Sequence, residues 1–396
     1  MKIAVLGVGT AGLTSLAHCL SFLNSSWTVY SISDPSTPIL GIGESTTPLI
    51  PGQLYNGTRF TLLEDSDELD ATVKYGVKYV GWREKDFFSH ILPPNHAMHF
   101  NNFKLKEFCF GRFQKLFQDR FKIVYGNIKD VTTNNNNATV IVDNDVLSFD
   151  YVIDCRGYPE DYTEYNVSTA IPVNHCLVHT INQPGTWTWT YHVAHRNGWM
   201  FGIPLKTRQG WGYLYNDTIT PREDAVADIS ERFKVKEEDL SLREFKFKTY
   251  YAKKFIEGRI IKNGNRALFY EPMEALSGSF YGTLMRAFIS LIDGDIDESY
   301  FNESLTQTAQ DFENFICFVY HGGSTYDSEF WRTTKDRCRS HLNQNTRFEY
   351  FINLIRAVKP HEQQQKMWAP FLASNWLDFD RDLGYNYFNP NSVNRP

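Results

Sequence analysis

The chain has 396 residues, enough to bury a large core and to enclose a cofactor. Hydrophobic residues make up 42% and charged residues 22%, an ordinary enzyme-like balance, while Trp, Tyr and Phe together reach 15%. A net charge of −6 lacks the basic footprint of a nucleic-acid binder, and no apolar run in the sequence approaches a membrane span.

In chain order, residues 3–6 predict a short buried strand, Gly7-Val8-Gly9-Thr10-Ala11-Gly12 a tight turn, residues 13–23 a helix and residues 27–32 a second strand. This βαβ start places a GxGxxG run where it has physical meaning. The glycines let the backbone approach a pyrophosphate, and the helix N-terminus offers free N–H groups to it. Gly7, Gly9, Thr10, Ala11 and Gly12 are therefore candidate dinucleotide ligands. Asp34, after the second strand, is the candidate for the ribose hydroxyls, with Ser31 at the more usual offset. Gly41-Ile42-Gly43-Glu44-Ser45-Thr46-Thr47-Pro48 predicts a second ligand-facing turn, with Gly43, Glu44 and Ser45 as its candidates.

Residues 103–122 are amphipathic and predict a helix; residues 122–125, 138–142 and 151–154 read as strands, and Asn134 to Asn137 as a solvated hairpin turn. From Trp187 the period changes to two. Trp187, Trp189, Tyr191 and Val193 share one strand face, and Thr188, Thr190 and His192 the other. With strands at 199–203, 211–215 and 243–251, this predicts an aromatic antiparallel sheet walling a pocket. The last hundred residues read as helical, with Leu305, Phe312, Phe315, Ile316 and Val319 at helical spacing. The six cysteines show no paired spacing, which fits reduced thiols in a cytoplasmic protein. His175 with His179, and His192 with His195, lie beside no sequence cluster of metal-ligand type; they read as structural or surface residues, and no metal site is expected.

Several motifs occur in order: Gly7 to Gly12, Gly43-Glu44-Ser45-Thr46, Asp154-Cys155-Arg156-Gly157, Gly198-Trp199-Met200-Phe201-Gly202-Ile203-Pro204, Glu271-Pro272-Met273-Glu274, and His321-Gly322-Gly323 with Trp331. Together they resemble the flavin-dependent halogenases of the tryptophan halogenase type, over nearly the whole chain and in a short form. The resemblance implies an α/β (α+β) fold like that of FAD-dependent monooxygenases. A Rossmann-type FAD lobe would span 1–165 with 256–300, the antiparallel sheet 166–255, and a helical C-terminal region 301–396. It adds Gly157 to the FAD contacts.

The same resemblance implies the chemistry. FADH2, O2 and halide would yield hypohalous acid, with reduced flavin coming from a separate NAD(P)H-dependent flavin reductase. Lys74, in Val73-Lys74-Tyr75-Gly76, takes the place of the family's essential lysine, and Glu274 that of its catalytic glutamate. Trp199, Phe201 and Pro204 would line the passage between flavin and substrate, Phe201 standing where the family has a second Trp. Leu276, Ser277 and Gly278 replace the family's Ser-Thr-Gly at the halide, so bromide or iodide, less strongly hydrated than chloride, is the expected preference. Residues 82–101 lead almost at once into the next helix, without the family's long substrate-covering segment, so varied small aromatics are the expected substrates. A homo-oligomer is compatible with this reading. Two alternatives stay open: an FAD-dependent aromatic hydroxylase of the same fold, told apart by loss of halide dependence, and a non-catalytic binding protein on a flavoprotein-like scaffold, told apart by failure to bind FAD.

Overall fold

A computed structural model describes residues 1–39, 41, 45–83, 86–92, 96–357, 367–368 and 371–383. Its first layer is a six-stranded sheet in the order Ile256–Glu257, Ile260–Lys262, Tyr151–Asp154, Lys2–Leu6, Thr28–Ser33, Phe121–Tyr125. All neighbours are parallel except the edge pair Ile256–Glu257 and Ile260–Lys262. Ile3, Ala4, Val5 and Leu6 have no exposed surface, as a parallel strand covered on both faces requires. Helix Thr10–Phe22 covers one face with Leu13, Leu16, Ala17 and Leu20. It starts ahead of the apolar periodicity, because the glycine turn ends at Gly9 and Thr10 already has helical geometry.

The second layer is a seven-stranded sheet ordered Leu242–Lys246, His175–Ile181, Gln209–Tyr215, Gly198–Pro204, Trp189–His195, Gly76–Val80, Phe87–Ile91. Only Trp189–His195 and Gly76–Val80 run parallel. The sheet thus draws two strands from the segment expected to belong wholly to the first lobe. Within it, aromatics pair with glycines across strands: Phe201 faces Gly212 and Trp211 faces Gly202. A Cβ on Gly212 would meet the Phe201 ring at 2.2 Å, and one on Gly202 the Trp211 ring at 2.3 Å, so these glycines make room for the rings.

The predicted strand 243–251 divides. Leu242–Lys246 stays on the sheet edge with exposed Arg243, Glu244 and Lys246, while Tyr250–Ala252 enters a three-stranded sheet with Tyr165–Val167 and Leu268–Phe269. Tyr250, Tyr251 and Ala252 are all buried, which ends the alternation of the edge strand. The predicted helix 103–122 is likewise shorter, Asn102–Phe117, and a 3₁₀ turn leads from it into strand Phe121–Tyr125.

Helices Glu298–Gly322, Glu329–Gln344, Thr346–Arg356 and Ala373–Leu383 form the C-terminal region. Leu305, Phe312, Phe315, Ile316 and Val319 are buried in the first of them, as their spacing predicts. Residues Met273–Asp293 form one stretch long and apolar enough to cross a membrane by composition, a correction to the expectation that no run approaches a span. Here Leu276, Phe280, Leu284 and Phe288 have no exposed surface, packed against helices Thr10–Phe22 and Glu298–Gly322.

Candidate active site

Lys74 ends the short strand Thr72–Lys74, which pairs with Ala97–His99. Its side chain is 1% exposed, yet no carboxylate among the described residues touches it. Nζ donates to the Ser45 hydroxyl at 3.0 Å and to the Thr46 carbonyl at 2.8 Å. Lysine is almost never buried without a charged partner, because desolvating the ammonium is costly. Burial pushes its pKa down to about 8, with the charge of Glu274 pulling the other way. Lys78, the neighbouring lysine, instead lies over the Phe87 ring at 3.7 Å.

Glu274 sits in a turn that leads into helix Leu276–Asp293. It and Ala275 hold left-handed backbone geometry, with φ of 58° and 55°. Two consecutive non-glycine residues in this region are strained by about 1–2 kcal/mol each. The turn aims the Glu274 carboxylate inward, where Oε1 accepts from Tyr79 Oη at 2.6 Å and Oε2 lies 2.9 Å from His90 Nδ1. Burial alone would raise its pKa; His90, then His192 and Lys74, outweigh that and hold it below the ordinary glutamate value. A plain helix-terminal acid would have stayed at the helix end.

The strand register explains how these groups meet. His192 lies opposite both Tyr79 and Phe201, and Val77 opposite His90, so these side chains share the inner face of the seven-stranded sheet. His192 is 1% exposed, with its ring 4.7 Å from Trp199, and burial drives its pKa down to about 3. It therefore belongs to the site interior and is no surface residue. His175 is also not at the surface: its Nε2 lies 2.7 Å from Glu244 Oε1 and its Nδ1 3.6 Å from Asp217, carboxylates that are remote in sequence. Tyr79, His90, His99, Thr190 and His192 are not distinguished as site residues by sequence. For Thr190 and His192 the signal is the polar phase of a strand whose other phase is aromatic; Tyr79, His90 and His99 carry none.

Trp199 and Phe201 are buried on the same inner face. Trp199 Nε1 donates to Tyr320 Oη at 2.6 Å, so the helical region pins the indole in place. Tyr320 in turn bonds Glu271, whose carboxyl burial raises to about 8. The Pro204 carbonyl accepts from Thr72 Oγ1 at 2.7 Å, tying this strand to the lysine strand. Trp187 and Trp211 were expected to line the pocket as well, but they lie on the opposite face. There they pack with Tyr191 under helix Arg222–Phe233. Tyr191 and Trp211 fall in the other phase of the pleat from His192 and Phe201.

The tryptophan halogenase family model matches residues 2–138 and 88–378. The chain belongs to the tryptophan halogenase family. It is a flavin-dependent halogenase, an oxidoreductase. Among curated proteins it is 22% identical to a tryptophan 7-halogenase of Lentzea aerocolonigenes, over 85% of this chain and 79% of that one. The solved tryptophan halogenase of Shewanella frigidimarina superposes with a TM-score of 0.82 at 18% identity, covering 100% of this chain and 90% of that one. A tryptophan 6-halogenase of Streptomyces toxytricini gives 0.78 at 17% identity, over 96% and 89% of the two chains. These structural likenesses establish the mixed α/β fold expected from the sequence.

For this halogenase the fit to FAD can be tested on the first lobe. A Cβ on Gly12 would lie 2.1 Å from the Gly7 carbonyl, so the turn closes only with glycine there. A Cβ on Gly9 would meet nothing within 4 Å, which leaves its outer side open to a ligand. Gly9 caps helix Thr10–Phe22 without a side-chain hydrogen bond, so the first N–H groups, those of Thr10 and Ala11 included, are free of a side-chain cap. Asp34 follows strand Thr28–Ser33, and Ser36 engages its Oδ1 only. Gly157 turns at φ 78° shortly after Cys155, whose amide donates to Leu6. This set fits a dinucleotide. Gly43 and Glu44 lie outside the described residues. The Ser45 hydroxyl, expected at the cofactor, is engaged by Lys74 and Thr190. Leu276, Ser277 and Gly278 form the first turn of helix Leu276–Asp293, which has no side-chain cap.

Proposed function

We propose that the chain uses FADH2, O2 and halide to make hypohalous acid and delivers it through Lys74 to an electron-rich aromatic substrate. The observation that carries this reading is the buried lysine that no described carboxylate touches, set near a buried glutamate that acts on it through charge. A lysine kept there at such desolvation cost is explained by reactivity. When bound, FAD supplies the redox chemistry that oxidises halide at the expense of O2.

The chain's own residues do the rest. Gly7, Gly9, Thr10, Ala11 and Gly12 hold the pyrophosphate, Asp34 the ribose, and Gly43, Glu44 and Gly157 complete the flavin site. The uncapped amides of Leu276, Ser277 and Gly278 hold the halide. Trp199, Phe201 and Pro204 keep substrate away from the flavin while passing the small oxidant. Lys74 captures the halogen, and Glu274 positions the electrophile or takes the ring proton. Bromide or iodide is preferred over chloride, and the substrates are freestanding phenols, indoles and related aromatics. A separate NAD(P)H-dependent flavin reductase supplies FADH2, in the cytoplasm.

The test is a halide-dependence assay with FAD, a flavin reductase, NADH and a panel of aromatics. Halogenated product that requires halide and disappears in Lys74→Ala, with flavin oxidation intact, supports the reading. Halide-independent hydroxylation, chloride as the best halide, or strict tryptophan specificity each removes the corresponding part of it.

A further inference from the structure

Lys74 stands at one end of a chain of hydrogen bonds whose polarity the structure determines. Thr72 Oγ1 has one proton, and it goes to the Pro204 carbonyl at 2.7 Å. The contact of Thr72 Oγ1 with His99 Nδ1 at 3.2 Å must then be donated by the ring. Neutral His99 with its proton on Nδ1 can only accept at Nε2, from Thr190 Oγ1 at 2.9 Å. Thr190 has given its single proton, so it accepts from Ser45 Oγ at 2.9 Å. Ser45 in turn can only accept from Lys74 Nζ, at 3.0 Å. Both ends agree, since an ammonium donates only and a carbonyl accepts only. Burial, and after it the charge of Lys74, holds His99 well below its ordinary pKa, which keeps the ring neutral and the chain pointing one way.

We propose that His99, acting through Thr190 and Ser45, is a positioning residue that directs the lone pair of the Lys74 amine toward the incoming halogen. The inference rests on Lys74 as the group that captures hypohalous acid. A neutral amine has two N–H bonds and one lone pair. Both acceptors beside Nζ, the Ser45 oxygen and the Thr46 carbonyl, take N–H protons. The lone pair is left on the side of Nζ to which no described residue hydrogen-bonds. Were the Ser45 hydroxyl free to turn, it would donate into that lone pair and quench it. With the lone pair free, the N–X bond forms as the X–O bond breaks. Hydroxide leaves and takes the proton from the amine nitrogen, giving water.

Thr190→Val keeps the shape and releases the Ser45 proton. With the full chain, FAD, a flavin reductase, NADH, bromide and the aromatic that the wild type halogenates fastest, kcat falls about tenfold, the effect of one hydrogen bond. KM for the aromatic stays unchanged, and hypohalous acid caught by a soluble trap rises in step. Thr190→Ser restores kcat. Wild-type kcat in Thr190→Val, or no recovery in Thr190→Ser, overturns the proposal. Lys74→Met separates the two layers: if it still halogenates, the lysine reading itself fails; if it is dead while Thr190→Val matches wild type, only the positioning role of His99 falls.

Discussion

On the outer face of the seven-stranded sheet, Trp211 packs against Trp187, Tyr191 and Phe233 beneath a surface helix. On the inner face of the same strands, Tyr79 and His90 hold Glu274, and Thr190 connects to Lys74 through Ser45. The two faces are one pleat apart and both well covered, but their contents differ in kind. The outer face packs aromatic rings around one buried polar pair, in which Tyr213 donates to Asp228. The inner face carries ionisable groups whose pKa values move in opposite directions. Aromatic rings fill both faces, and what sets the inner one apart is the set of polar groups gathered around Glu274.

Substitutions sharpen this contrast. The largest effect belongs to Lys74→Met, for which aromatic halogenation is lost while flavin oxidation continues; product formation by chromatography beside oxygen uptake reads both. Glu274→Gln keeps the shape and removes the charge, and kcat for halogenation falls by about 10²–10⁴. On the other face, Trp211→Ala costs about 3–5 kcal/mol of stability, measured by denaturant unfolding, and leaves the rate per folded molecule near wild type. A Trp211 variant that folds normally but loses halogenation would erase the distinction between the faces.

Titration gives a smaller, graded effect. Lys74 is an ammonium below its pKa of about 8 and an amine above it. If the amine captures halogen, halogenation rises about tenfold per pH unit below that point and levels off above it. Flavin oxidation followed in parallel shows whether the rise belongs to the lysine. Stability moves with the same sign. Between about 8 and the ordinary lysine value of 10.5, the unfolded chain holds a proton that the folded chain lacks, so stability increases as pH rises through that window. The smallest effect is at the strained turn. Ala275→Gly relieves one left-handed residue and raises stability by up to about 1 kcal/mol, again by denaturant unfolding, with little change in rate.

Much of the fold is legible in the amino-acid sequence. The βαβ start, the strands at residues 138–142 and 151–154 and the helical C-terminal region follow from local patterns, and the structure keeps them. Lys74 and Glu274 are legible only through family resemblance, since a lone lysine or a helix-terminal acid carries no local signal of burial. Tyr79, His90 and His99 escape sequence reasoning because nothing in their neighbourhood separates a site-facing residue from a core-filling one.

By itself, the sequence determined which stretches are strand, helix and glycine turn, because period, capping and steric freedom act between residues close along the chain. It also determined that each strand has two phases. Tertiary structure alone decided which phase faces Glu274. Register across Gly76–Val80, Trp189–His195 and Gly198–Pro204 is a property of pairing between distant segments, and it places Tyr79, His192 and Phe201 side by side and sends Trp211 away from them. The buried lysine and glutamate acquire their shifted protonation only inside that assembly, where the solvent that would otherwise level them is gone.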